Sequence, residues 1–224
     1  MSSSLQKMLG IAAVVAVAGV LIGFYIVGFL MAGPKAYRPP VTSGSAKSVD
    51  LTIQTVAAAG PTLAANKDWV SYFVRNSNNK WLHTTVWDLP AHTRINVTVY
   101  QFDGNSGLRN PFMAEVRGTI GNNMQVDGKT LNVINPDNAS HTFAIPALQL
   151  IVPLEGVADN APNQCGVGPC ALSTAHRTIT FSFMTPGKGR YRWQCFVPCA
   201  AGFLAGFGGP MQTLGYMDGF INVA

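Results

Sequence analysis

Histidine and glutamate are scarce in this chain, and charge is thin throughout. Its 224 residues include four histidines, His83, His92, His141 and His176, and none follows His176. Glutamate occurs only as Glu115 and Glu155, far apart in sequence, so the paired carboxylates of an acid–base hydrolase have no support. No Gly-rich phosphate loop, nucleophile elbow or HExxH stretch is present. Charged residues make up 11% of the chain, against a usual share of about 25%. The net charge of +5 is spread singly, with no Lys/Arg cluster, and leaves no footprint for nucleic acid. There is no internal repeat and no long amphipathic helix after residue 45, which argues against solenoids and helical bundles.

What is present divides sharply. Residues 8–33 carry no charge and are almost wholly apolar. As a helix they span about 39 Å, more than the roughly 30 Å hydrocarbon core of a bilayer. The apolar core of a signal peptide is shorter, about 7–15 residues. We therefore expect residues 1–33 to be a retained single-pass anchor. Within it, Gly19 and Gly23 form a GxxxG pair whose small-residue face is extended by Ala12 and Ala16, a surface on which another membrane helix can pack. The cationic residues flanking the helix, Lys7 before it and Lys35, Arg38 and Lys47 after it, would by themselves place the amino terminus outside. Two close cysteine pairs downstream argue the opposite, since paired thiols persist in oxidising compartments or serve a metal. On that ground residues 45–224 are expected on the extracytoplasmic side of the cell membrane.

Residues 34–48 are rich in Pro, Ser, Gly and Lys and read as an extended stalk. From residue 49 to 224 short alternating runs broken by Gly, Pro and Asn predict a single all-β domain. Strands are expected at 48–56, 68–74, 94–102, 124–133, 141–145, 148–152, 178–184, 189–195 and 219–223. The last third places Cys195 and Cys199 four residues apart after a strand and Met217 before the final one. Either this thiol pair holds a soft metal or it closes a small disulfide. For Cys165 and Cys170, joined by a Gly/Pro loop, a structural disulfide is the expectation. Asn96-Val-Thr and Asn138-Ala-Ser fit the short glycosylation acceptor pattern.

From residue 133 onward the chain resembles a cupredoxin, specifically the extracytoplasmic domain of cytochrome c oxidase subunit II in its one-helix form. The resemblance is carried by Asn135-Pro-Asp-Asn-Ala-Ser-His141-Thr-Phe143, Leu150-Ile-Val-Pro, the strand at 178–184, and Thr185-Pro-Gly-Lys-Gly-Arg-Tyr191-Arg-Trp-Gln-Cys195. Cys195-x-x-x-Cys199 and Met217-x-Gly-x-Ile-x-Val complete it. It implies a cupredoxin-like Greek-key β-sandwich and a copper site in which His141 is an imidazole ligand, Cys195 and Cys199 are thiolates, the Val197 carbonyl is an oxygen ligand and Met217 is the thioether. The family's second histidine falls on Phe203 here and its methionine on Gly206, while Met217 comes eighteen residues after Cys199, with Met211 as a competing sulfur inside the insert.

The function so implied is that of a cupredoxin-like subunit of a respiratory or related redox membrane complex. Its role would be electron transfer or, with no cofactor bound, structure; it would be at most a non-catalytic electron-transfer or structural subunit. Its partners would be haem-containing or other redox membrane subunits, met through the helix at Gly19 and Gly23 and through the apolar loop 200–216, with Phe203, Leu204, Phe207, Met211 and Leu214 among its glycines. Two alternatives stay open: a free-standing envelope copper-binding protein, and a scaffold domain stapled by disulfides, one of which would join Cys195 to Cys199.

Overall fold

The computed structural model describes residues 3–30, 35–42, 48–62, 66–199 and 209–224. The chain divides into two units, Met1–Pro34 and Lys35–Ala224. The first is a helix α1, Ser3–Tyr25, continued by a π-helical turn at Ile26–Leu30. Its segment Ser4–Gly28 is long and apolar enough to cross a membrane, a measure that a signal sequence also satisfies. The side chains of Val14, Val17, Val20 and Phe24 are all exposed, and a Cβ added at Gly19 or Gly23 would meet nothing within 4 Å. A helix apolar on every side is stable only in lipid or against other apolar surface.

The second unit is all β. Its strands among the described residues are β1 (Val41–Thr42), β2 (Ser48–Val56), β3 (Ser71–Arg75), β4 (Trp81–Leu82), β5 (Val86–Leu89), β6 (Arg94–Gln101), β7 (Met124–Val126), β8 (Lys129–Leu131), β9 (Ala139–Ile145), β10 (Leu150–Glu155), β11 (Arg177–Met184), β12 (Gly189–Gln194) and β13 (Asp218–Val223). One sheet runs β4-β3-β2-β6-β11-β7-β8, with β1 on β2, and the other runs β10-β9-β12-β13-β5. The chain changes sheet at β4–β5, β5–β6, β8–β9, β10–β11 and β11–β12, so the two sheets are laced by Greek-key crossings rather than by simple meanders. Two pairings are parallel, β2 with β6 and β13 with β5.

Alternation explains why these segments pair as they do. Val49, Leu51 and Ile53 on β2, Ile95, Val97 and Val99 on β6, and Ile179, Phe181 and Phe183 on β11 present one buried face. They meet Phe143, Ile145, Leu150, Val152, Leu154, Trp193, Ile221 and Trp87 from the other sheet in a common core. Trp87 stacks on Trp193 at 4.6 Å, and Phe143 on Trp193 at 5.3 Å. A smaller cluster lies outside the larger sheet, where the Cys165–Cys170 disulfide loop covers Val56, Phe73 and Phe102.

Several expected elements are redrawn. The run at 124–133 is a hairpin of β7 and β8, turned at Asp127 and Gly128, both with positive φ, the Asp-Gly pair that a tight two-residue turn requires. The strand expected at 148–152 begins at Leu150, after a 3-10 turn at Pro146–Leu148. β5 was not expected, because a four-residue run shows too little alternation and its partner β13 lies at the far end of the chain. Part of the 34–48 stretch lies on the sandwich: Tyr37 bridges Trp87, Arg38 pairs with Asp88 at 3.3 Å, and β1 pairs with β2. Residues 43–47 lie outside the described residues.

Candidate metal centre

Alternation along β9 sets His141 on the same face as Phe143 and Ile145, but one step nearer the open end of the sandwich. Cys195 follows directly on β12, and its amide continues the ladder by donating to the Met217 carbonyl at 2.9 Å. The loop that leaves Cys195 turns back at Cys199. Residues distant in sequence therefore meet. His141 Nδ1 lies 3.1 Å from Cys199 Sγ and 3.9 Å from Cys195 Sγ, and the two sulfurs are 3.1 Å apart as free thiols. The Val197 carbonyl oxygen is 2.9 Å from Cys199 Sγ and 3.4 Å from Cys195 Sγ. His141, Cys195 and Cys199 form the one potential metal-holding group of His, Cys, Asp and Glu among the described residues, and all three are buried.

The donor set fits a soft metal ion. Around a tetrahedral ion with bonds of about 2.0–2.3 Å, donors stand about 3.5 Å apart, and the sulfur–nitrogen, sulfur–sulfur and sulfur–oxygen pairs here stand 2.9 to 3.9 Å apart. Two thiolates, one imidazole and one carbonyl suit copper or zinc far better than magnesium or calcium. No second imidazole joins the group: His83 stacks on Phe73, His92 is exposed, and His176 Nδ1–H donates to the Thr174 carbonyl. Phe203 and Gly206 lie outside the described residues, as does the rest of 200–208. The two methionines behave differently. Met217 is fully buried and is tied to the site through its backbone, whereas the Met211 sulfur accepts the Cys199 N–H at 3.4 Å.

Asp103 completes the site, and sequence reasoning missed it. Its Oδ2 lies 3.0 Å from His141 Nε2, on the side of the ring away from the thiols. The loop after β6 fixes it. Gly104 N–H donates to Asp103 Oδ1, and the Asp103 carbonyl accepts from Val157 N–H and Gln101 Nε2. Gly156 packs so closely on this loop that a Cβ there would come within 2.6 Å of the Gly104 backbone. A lone Asp after a strand carries no sequence signal; only the fold brings it to a histidine 38 residues away.

The electrostatics follow from burial and contact. Burial alone would lower the His141 pKa, but the hydrogen bond to Asp103 and the neighbouring Cys195 thiolate outweigh it and raise it to about 9. Burial opposes ionisation of Cys195, yet hydrogen bonds from Cys199 and His141 hold its thiol well below the usual range. Cys199 is pushed well up, by burial first and then by the adjacent Cys195 thiolate. Asp103 is lowered despite burial, through its hydrogen bond and charge contact with His141. Without metal, these shifts favour the charged forms of Asp103, His141 and Cys195 and the neutral thiol of Cys199. Thr142 N–H points at Cys195 Sγ at 3.3 Å, a contact that stabilises negative charge on that sulfur.

Apart from the cage, Cys165 and Cys170 form the expected disulfide. Trp193 is wholly buried, with its indole N–H on the Thr85 carbonyl. Neither acceptor asparagine has a free amide: Asn96 Nδ2 donates to Asp50, and Asn138 Nδ2 to Glu155. The described part of the apolar insert packs across the sheet ends, Tyr216 giving its carbonyl to Tyr72 N–H and Gly215 N–H reaching Thr85 Oγ1.

No protein-family model and no curated protein matches the chain. Solved structures that overlay on it include rusticyanin from Thiobacillus ferrooxidans, at 16% identity over 82% of this chain and 84% of that one, with a TM-score of 0.30. Reduced rusticyanin overlays with 16% identity, 82% and 87% coverage and a TM-score of 0.31. A further rusticyanin structure, described as a copper protein, gives 15% identity, 82% and 85% coverage and a TM-score of 0.30. At those scores the overlays add no weight. The class, an all-β Greek-key sandwich preceded by one apolar helix, stands on the two sheets and their crossings.

Proposed function

We propose that this chain is a cupredoxin-like, copper-binding electron-transfer protein, with one copper held by His141, Cys195 and Cys199 and the Val197 carbonyl beside them. The observation that carries the reading is the convergence of one imidazole nitrogen, two thiol sulfurs and a carbonyl oxygen from β9 and the loop after β12 inside a buried cage. Copper, when bound, supplies one-electron exchange between its cuprous and cupric states. The chain's own groups do the rest. Asp103 accepts a hydrogen bond from the Nε2–H of His141 and so leaves Nδ1 facing the sulfurs. Thr142 N–H tempers the charge on Cys195. Trp193, Phe143 and Val197 are buried in the same apolar cluster as the two thiols.

A cleft of about 320 Å³ reaches the cage past Asp68, Asp103, Ser140 and Pro198 to His141 and Cys199. It is the approach for a redox partner, and its two carboxylates favour a partner face of positive charge. The finer reading is that of a subunit similar to cytochrome c oxidase subunit II. The chain would be anchored by α1, its sandwich on the extracytoplasmic side, and joined to other redox membrane subunits through Gly19, Gly23 and the loop 200–216. The exposed apolar helix and the disulfide support it, since disulfides persist outside the reducing cytoplasm.

Metal analysis and thiol counting on the full chain in mild detergent test both levels. One copper per chain, visible thiolate-to-copper absorption and protection of two thiols from alkylation are expected. Folded protein with two reactive thiols and no copper after anaerobic loading would refute the copper reading. Copurification with haem proteins separates the complex subunit from a free-standing copper protein.

A further inference from the structure

The thiols and imidazole leave open which thioether completes the cage. Met217 is positioned by its backbone at both ends, its N–H on the Pro210 carbonyl at 3.0 Å and its carbonyl on Cys195 N–H at 2.9 Å. Along β13, Gly219, Ile221 and Val223 are buried in alternation, and Met217 continues that row into the hydrophobic core. Its side chain is fully buried there, in the core cluster that Cys195 and Cys199 also join.

Met211 sits on the short 3-10 turn Gly209–Gln212, half-buried against the core cluster that contains both thiols. Its Sδ accepts the amide N–H of Cys199, the residue whose thiol lies 3.1 Å from His141 Nδ1. A thioether sulfur has two lone pairs, so the amide leaves one available. Pro210 beside it takes Met217 N–H, which locks this turn to the root of β13.

We propose that Met211, not Met217, supplies the thioether of the metal cage and biases it toward cuprous copper over zinc. The inference rests on the copper reading above. A thioether is a neutral, soft donor that adds affinity for the cuprous ion and little for zinc, which thiolate, imidazole and oxygen already satisfy.

The test compares full-length wild type, Met211→Leu and Met217→Leu in detergent. Cuprous affinity is read by competition with a cuprous chelator under anaerobic, reducing conditions, and zinc affinity with a chromophoric zinc chelator. Leucine conserves volume at both positions, and thermal unfolding of the metal-free proteins checks the fold. Met211→Leu is expected to weaken cuprous binding about tenfold or more, the size of a lost contact at a metal site, while zinc affinity stays unchanged. Met217→Leu is expected to leave both affinities unchanged. Equal loss of copper and zinc in Met211→Leu would assign that residue to packing and overturn the proposal, as would a copper-specific loss in Met217→Leu. Wild type that binds copper while Met211→Leu matches it defeats this inference alone. Wild type that takes up no copper defeats the reading beneath it.

Discussion

Replacing Asp103 by Asn tests whether a carboxylate governs the site. The change keeps an acceptor beside His141 Nε2 but removes the charge. In the metal-free protein, lifting a wholly buried imidazole from 6.5 to about 9 corresponds to about 3 kcal/mol of preference for the charged form. Asp103 and Cys195 share that effect, so Asp103→Asn should cost about 2 kcal/mol, the range of a hydrogen bond to a charged group. The sign follows from linkage. A group whose pKa is raised on folding contributes its stability in full below 6.5 and loses it as pH rises through about 9. The gap between wild type and variant should therefore be widest near pH 6 and close to the residue of a neutral hydrogen bond above pH 9. Urea unfolding with reductant and chelator at several pH values measures the gap, and an NMR titration of His141 measures the proton directly. An equal loss at pH 6 and pH 10, or an imidazole in wild type that titrates near 6.5, would refute the reasoning.

Metal uptake near pH 7 should release protons from His141 and Cys199, both protonated in the metal-free site; a pH indicator in weak buffer should record about two per ion, and none would contradict the assigned states. Gly219→Ala should fail to fold or unfold at much lower temperature, because a Cβ at that point of β13 would overlap the Thr85 carbonyl oxygen and the Trp193 indole; a variant as stable as wild type by circular dichroism melting would show that this packing is misjudged. Cys165→Ser with Cys170→Ser opens a short covalent loop and should cost about 2 kcal/mol in urea unfolding while leaving metal uptake intact; lost uptake would tie the loop to the cage. His83 is lowered to about 4, by burial first, against a modest opposing contact with the Gly215 carbonyl. Since the unfolded chain takes up that proton more readily, stability should fall as pH drops from 6.5 toward 4, and His83→Gln should flatten this acid limb; an unchanged acid profile would exclude His83 as its cause.

Alternation made much of the fold legible. The period-two rows of β2, β6 and β11 were readable because each has one face in the core, and the uncharged stretch that becomes α1 was readable from length and composition alone. β5 was not, since a four-residue parallel strand takes its stability from β13, more than a hundred residues away. At the site, Cys195 and Cys199 were named from their spacing, and His141 from the resemblance alone. Asp103 escaped because its role depends on a loop crossing beside Val157 and Gly156, a contact with no sequence periodicity. The choice between Met211 and Met217 escaped for a related reason: spacing from Cys199 orders the sulfurs along the chain but not in space.

The sequence by itself determined which donors are at hand, four histidines and two close cysteine pairs with no histidine after His176, together with an apolar helix and an all-β domain. The tertiary structure alone decided that these groups meet, and that a carboxylate from the loop after β6 stands behind the imidazole, which faces the sulfurs. The physical reason is that alternation fixes only the face each residue presents. Which faces and loop ends come together is decided by sheet crossings and core packing between segments far apart in the chain.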